Sequence, residues 1–333
     1  MDLLMTGIQS VFQPMILLWI AGGVLMGVIF GALPGVSATM AIVLCIGFTY
    51  SMPPVVAIAF LSAVYCAAIT GGSITAILFK IPGTPSSAAT VLDGYPMVQR
   101  GEAGKALSIS LICSALGGLA SAIIMFALTQ PLMKLALKFS SSEQFAVCFL
   151  GLSILIFLDE DNKLNTFASA IIGLWLGTIG LDSFSAVPRF TFGTSKLLDG
   201  VEALPFMLGM FAAVEIFSQI RKPSDRSAYS SDKQADISRL VSLKEMLAMK
   251  WTVLRSGVLG SIVGIMPGAG ATIASWLSYT VEAKCSKHPE MLGKGDPHGI
   301  AASETANNAA TGGAMVPLLA MGIPGSNAAA MMM

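Results

Sequence analysis

Long apolar runs separated by short polar segments dominate the chain, and within the runs apolar residues are continuous instead of alternating with period two. Runs close to the roughly 20 residues that cross a bilayer predict spanning helices, not a barrel. They occupy residues 15–33, 106–128 and 203–220, with shorter ones at 145–158 and 166–181. A further run, 55–68, leads into residues 71–94. Residues 93–105 read as a polar connection, 130–144 as interfacial and 180–200 as a structured loop. In the hydrophilic stretch 221–250 basic residues outnumber acidic ones, which predicts a cytoplasmic linker. Residues 237–249 suit a short amphipathic helix on the membrane surface.

The pattern repeats. GGSITAILFKIPGTPSSAATVLDG (71–94) returns as GGAMVPLLAMGIPGSNAAA (312–330), with Pro82-Gly83 matched by Pro324-Gly325. GALPGVSAT, containing Pro34-Gly35, returns as GIMPGAGAT, containing Pro267-Gly268. Two motifs in the same order argue for duplication: a first repeat over 1–220, a linker over 221–250, and the start of a second repeat over 251–333. More than a hundred residues follow the Pro-Gly of the first repeat, so the second is expected to be incomplete. The expected fold is an all-α polytopic membrane protein with two related repeats, each with Pro-Gly-broken helices or re-entrant hairpins.

Composition strengthens the membrane assignment. Hydrophobic residues make up 54% and charged residues 11%, against about 25% charged in soluble domains. The formal net charge is zero, and no basic stripe points to nucleic acid. The N-terminus opens on Asp2 with no basic region or small-residue cleavage site, so residues 15–33 read as a retained first helix. The five cysteines show neither CxxC nor metal spacing and read as small buried hydrophobes; His288 and His298 share a polar loop without further ligands.

No nucleophile–base pair, carboxylate pair or ligand cluster at a telling spacing supports an enzyme. Binding fits better. Broken helices at membrane depth are tolerated where protein buries them or where they line a watery cavity. Paired breaks in two halves point to a transporter's site, the alternative being that the glycines serve close helix packing. Half-helix N-termini attract carboxylates, while hydroxyl and carbonyl oxygens suit Na⁺. Three ionisable residues stand in or near apolar segments. Lys80 either pairs with an anionic substrate or snorkels to the headgroups; Glu215 suits the interface; Glu304 either faces the site or caps a helix.

At these motifs the chain resembles the large membrane subunit of the bacterial tripartite tricarboxylate transporters. GALPGVSATMA, GGSITAILFKIPGTPSSAATVLDGYPM, GLDSFSAVPRFTFGTSKLLDG, GIMPGAGATIASWLSY and HGIAASETANNAATGGAMVPLLAMGIPGS carry the likeness across essentially the whole chain. The resemblance implies a secondary carrier of the inner membrane that imports citrate or related carboxylates, usually with Na⁺ as coupling ion and no other cofactor. It implies two partners, a small membrane subunit and a periplasmic solute-binding protein. Beside the motif prolines, the substrate positions expected are Gly35, Ser37, Thr39, Gly83, Thr84, Ser86, Ser87, Gly268, Gly270, Thr272, Gly325, Ser326 and Asn327. Asn307, Asn308, Thr39 and Thr272 are expected around the ion, with Lys80 and Glu304 as charge partners. The family's large subunit is longer, and Lys80 stands where a neutral polar residue is expected. A carrier without a binding protein and a non-transporting scaffold are the alternatives.

Overall fold

The structure is a computed structural model that describes residues 7, 9–138, 163–182, 187–201 and 239–333, together with 140, 142, 143, 145, 146, 149, 153, 206 and 217. Its helices are α1 (Pro14–Ala32), α2 (Ala38–Ile46), α3 (Pro54–Phe79), α4 (Val91–Gln99), α5 (Ala103–Ala136), α6 (Lys163–Gly177), α7 (Leu243–Ala248), α8 (Lys250–Ile265), α9 (Gly270–Cys285), α10 (Pro297–Met321) and α11 (Asn327–Ala330). Among the described residues α1, α3 and α5 are long and apolar enough to cross a membrane. The protein is an all-α, multi-pass membrane protein.

Two compact units emerge, Met1–Lys138 with Ser218–Met333, and Phe139–Phe217. In the second, α6 is followed by a short antiparallel pair, β1 (Gly180–Leu181) and β2 (Pro188–Arg189), closed by an Arg189–Asp182 ion pair at 3.2 Å. Glu215, most of the apolar runs 145–158 and 203–220, and residues 221–238 of the linker lie outside the described residues.

The first unit is built on glycine-mediated helix contacts. On α1, Gly23, Gly27 and Gly31 recur every fourth residue and face the α3 backbone at Phe60, Val64 and Ala68. A Cβ at Gly31 would overlap the Ala68 carbonyl oxygen. In the second repeat, Gly260 and Gly264 of α8 meet the α10 backbone at Ala306 and Ala310 in the same way. Small residues let backbones approach closely where lipid supplies no hydrophobic drive between helices. The α1–α3 pair is therefore the structural counterpart of the α8–α10 pair.

The helix ends match bond for bond. Beyond α3, Ile81 N–H donates to the Thr75 carbonyl and Gly83 N–H to that of Gly72; beyond α10, Ile323 donates to Pro317 and Gly325 to Ala314. Lys80 and Gly322 cap the two helices in the left-handed region, at φ 60° and 70°. These bonds shift the sequence pairing by one residue: Gly71 corresponds to Gly313, and Gly72 to Ala314. Gly71 faces Val28 and Gly313 faces Ser261, the equivalent positions of α1 and α8.

The repeats run in opposite directions. Cys66 meets Thr311 (3.4 Å), Thr70 donates to Asn308 (3.2 Å), and Ser73 donates to Glu304 (2.6 Å). Partners descend α10 as the chain climbs α3, so these equivalent helices are antiparallel and the duplication is inverted.

Several sequence expectations need correction. The run 55–68 continues through Gly71-Gly72 as one helix, α3, which ends at Phe79 just before Pro82-Gly83. The supposed polar connection 93–105 contains most of α4, and Asp93 is buried because it accepts bonds from Tyr279 (2.7 Å) and from the Gly295 and Asp296 N–H groups (both 2.8 Å). α5 runs past residue 128, through Pro131, to Ala136. The 166–181 run divides into helix and strand, and the amphipathic segment 237–249 reduces to α7 among its described residues. α7 starts on a capping box, Ser242 with Glu245.

Candidate functional site

Each Pro-Gly tip is held by the opposite repeat. The tip after α3 contains Gly83, Thr84 and the 3-10 turn Pro85–Ser87, with Gly83, Thr84, Ser86 and Ser87 buried. It lies against α9 and α10, and Asn307 of α10 donates its amide to the Ser86 carbonyl at 3.5 Å. The tip after α10 contains Gly325, Ser326 and α11, and it lies against α2. There the Ser326 hydroxyl bonds that of Tyr65 on α3, at 3.0 Å. Tyr65 and Asn307 occupy corresponding positions in the two repeats, so the exchange of tips is symmetric.

The hydroxyls of the first tip satisfy one another. Thr84 and Ser86 share a bond of 3.0 Å, and Ser87 donates to the Thr84 carbonyl at 2.8 Å. Gly72 provides the room, since a Cβ there would run into Thr84. The second tip is more open: Ser326 is half-buried and Asn327 exposed.

The earlier Pro-Gly loops build two helix N-termini. Ala269 N–H donates to the Met266 carbonyl just as Val36 does to Leu33, and Gly35 and Gly268 sit at φ 89° and 80°. Ser37 caps α2 by accepting from Met40 N–H (3.2 Å), while α9 starts at Gly270 with φ 60°. Gly268 N–H donates to the Gly325 carbonyl (3.1 Å), which ties this loop to the second tip. Thr39 and Thr272 are half-buried in α2 and α9. No described hydrogen bond connects either to Asn307 or Asn308.

Between the tips, α3 and α10 cross, and the crossing contains Glu304. It is wholly buried in the middle of α10 and therefore caps no helix end. One carboxylate oxygen accepts from Ser73 of α3 (2.6 Å), from Thr90, and from the Asn307 amide (3.3 Å); the other accepts from Ser114 of α5 (3.1 Å). Thr90 also bonds the Ser303 hydroxyl at 2.9 Å. Asn308 donates to the Asn307 side-chain oxygen (2.9 Å), which leaves the Asn307 amide hydrogens for Glu304 and Ser86. Lys80 takes no part. It is exposed at the end of α3, with Nζ 5.8 Å from the Tyr95 ring centroid.

The sequence reading omitted Ser73, Thr90, Ser114 and Asp93. The available signal was a polar residue inside an otherwise apolar or small-residue run. Ser73 and Thr90 lie within residues 71–94, on either side of the Pro-Gly tip.

The pattern of the family described as "Tripartite tricarboxylate transporter TctA family" matches residues 17–333. The chain belongs to the TctA family. This is a family of transporter components, not of enzymes. An uncharacterised 52.8 kDa protein from the TAR-I ttuC′ 3′ region of Agrobacterium vitis is 37% identical over 322 residues, 96% of this chain and 63% of that protein. An uncharacterised protein from the TAR-II ttuC′ 3′ region of the same organism is 48% identical over 65 residues, 20% of this chain and 27% of that protein. The chain thus spans less than two thirds of the longer relative. No solved structure matches it.

Proposed function

We propose that this TctA-family chain forms the translocating core of a secondary transporter importing tricarboxylates such as citrate, or related carboxylates, across the bacterial inner membrane. A small membrane subunit and a periplasmic solute-binding protein complete the system, and Na⁺ drives uptake. The observation that carries this reading is the inverted pair of Pro-Gly tips, each seated on the other repeat, in a chain of this family.

Substrate carboxylates are assigned to the loops Gly35–Thr39 and Gly268–Thr272 and to the second tip at Ser326 and Asn327. The first turns of α2 and α9 offer backbone N–H groups and the positive ends of helix dipoles, which favour anions without a fixed cation. Thr84, Ser86 and Ser87 shape the opposite wall. Alternating access follows from the exchanged tips: rocking one repeat against the other carries each tip relative to the helices that hold it, around a fixed site at the crossing. Delivery by the binding protein makes uptake one-directional.

The test uses the full-length protein with both partners in proteoliposomes and labelled citrate. Accumulation should require the binding protein and an inward Na⁺ gradient. Uptake of another carboxylate alone would change the substrate and keep the mechanism, whereas uptake independent of the binding protein would refute the tripartite arrangement. Failure with every carboxylate would overturn the carrier reading.

A further inference from the structure

The crossing of α3 and α10 presents a chemical problem that substrate binding does not solve. Glu304 is fully buried and accepts four side-chain hydrogen bonds, from Ser73, Thr90, Ser114 and Asn307. Three hydroxyls and one amide turned toward one carboxyl group can satisfy its ionised form, with both oxygens accepting. Yet no Lys, Arg or His bonds or ion-pairs with it among the described residues. Neutral donors reduce the cost of burying a charge without cancelling it, and an uncompensated buried charge is strongly unfavourable. A mobile positive charge resolves the conflict.

We propose that Glu304, with the hydroxyls of Ser73, Thr90 and Ser114, forms a binding site for one desolvated Na⁺ ion. The donor set selects the ion. One carboxylate and three hydroxyl oxygens are hard ligands that suit an alkali or alkaline-earth cation and not a soft metal. A single formal charge is matched by a monovalent ion, and no second Asp or Glu shares the cluster to favour Ca²⁺. The hydroxyls can rotate, so each exchanges its donated hydrogen for a lone pair when the ion enters. The hydrogen-bonded separations, 2.6 Å for Ser73 and 3.1 Å for Ser114, must lengthen to admit an ion between the oxygens, and the smaller Na⁺ requires less opening than K⁺.

The site also reaches the substrate wall. Asn307 donates both to Glu304 and to the Ser86 carbonyl, so it joins the carboxylate to the first Pro-Gly tip. Thr90 lies on the return limb of the same hairpin, Ser73 on its outgoing helix, and Ser114 on α5. An ion drawing these four groups together fixes the hairpin against α10. Resting on the carrier reading above, this makes Glu304 the group through which Na⁺ sets the position of the first tip.

The experiment is Na⁺ binding to the purified full-length protein, read as ²²Na⁺ retention and as the Na⁺-dependent rise in melting temperature. Ionic strength is held constant with choline, and K⁺ is run in parallel. Wild type should show saturable Na⁺ stabilisation that K⁺ does not reproduce. Glu304→Gln should abolish it, and Ser114→Ala should weaken apparent Na⁺ affinity about tenfold, the value of one hydrogen-bond-strength contact to a charged group. If Glu304→Gln does not fold, Ser73→Ala and Ser114→Ala carry the test with the carboxylate intact. Unchanged Na⁺ affinity in these variants would overturn the proposal while leaving Na⁺-driven uptake standing. Equal effects of K⁺ and Na⁺ would also overturn it, as would stabilisation that follows pH and ignores Na⁺, since the carboxyl would then take a proton. Cys113 of α5 is the titratable neighbour to control in that arm, by Cys113→Ser. Binding without carboxylate uptake would instead discredit the substrate assignment alone.

Discussion

The two repeats share a backbone and differ in chemistry. Both pack a small-residue helix on a long one, both cap the long helix in the left-handed region, and both break it at Pro-Gly with the same pair of carbonyl contacts. The residues that correspond to Glu304, Ser73 and Thr90 are Ser62, Met315 and Met332. Ser62 is half-buried on α3, and Met315 and Met332 belong to an apolar cluster with Ala314 and Ala329. A buried carboxylate with its donors thus occupies one side of the crossing, and one serine and two methionines occupy the matching positions. Backbone symmetry supplies two similar halves able to exchange conformations, whereas one charged site requires that symmetry to be broken.

The comparison breaks first where backbones touch. Gly31→Ala and Gly264→Ala should each cost about 3 kcal/mol, because the added carbon meets a backbone carbonyl that cannot move aside. Gly22→Ala, with open space around it, should leave the melting temperature unchanged. Equal tolerance at all three positions would disprove the glycine-mediated pairing.

Next comes the polar asymmetry. In saturating Na⁺, Glu304→Ser alone should destabilise by about 2–3 kcal/mol, because the ion site is lost, buried hydroxyls lose their acceptor and the shorter side chain leaves space unfilled. Adding Ser73→Met and Thr90→Met, which copies the other repeat and fills that space, should recover part of the stability and leave uptake abolished. Retained uptake in the triple variant would remove Glu304 from the transport cycle.

The helix caps sharpen the likeness on a finer scale. Gly322→Ala should cost about 1 kcal/mol in thermal unfolding, since its φ of 70° strains any side chain. Lys80→Gly should be neutral or stabilising by a similar amount, with uptake preserved. Loss of uptake in Lys80→Gly would show that the exposed ammonium handles substrate after all.

The smallest effect concerns α7. The Lys105 ammonium, 2.7 Å away, and the Ser242 cap hold the Glu245 carboxyl well down, at about 2. A depressed acid stabilises above its ordinary value of 4.5 and loses that contribution as pH falls through the folded value near 2. Amide exchange in α7 should therefore stay protected at pH 4 and rise toward pH 2, and Lys105→Met should move the onset upward. An onset unchanged by Lys105→Met would mean that the cap alone holds the helix.

Much of this was legible in the sequence. Apolar runs of spanning length and a low charge content leave a chain no stable solution outside a bilayer, and Pro-Gly in matching places marks where its helices must break. The motifs were sufficient to indicate the TctA family and the existence of two repeats. They did not reveal α10 as the central helix, because it is enclosed by α5, α8 and α9. Its residues are largely Ala, Gly, Ser, Thr and Asn, suited to close packing and bonding, so hydropathy does not register them. Nor could spacing show that Asp93 reaches Tyr279, or that Ser73, Thr90 and Ser114 converge on Glu304. Those residues are far apart in the chain, and only the antiparallel crossing of α3 with α10, beside a parallel α5, brings their side chains together. Periodicity and composition fix local structure and the choice of solvent. The inverted orientation, the exchanged tips and the carboxylate at the crossing depend on contacts between elements distant in sequence, so tertiary packing alone decided them.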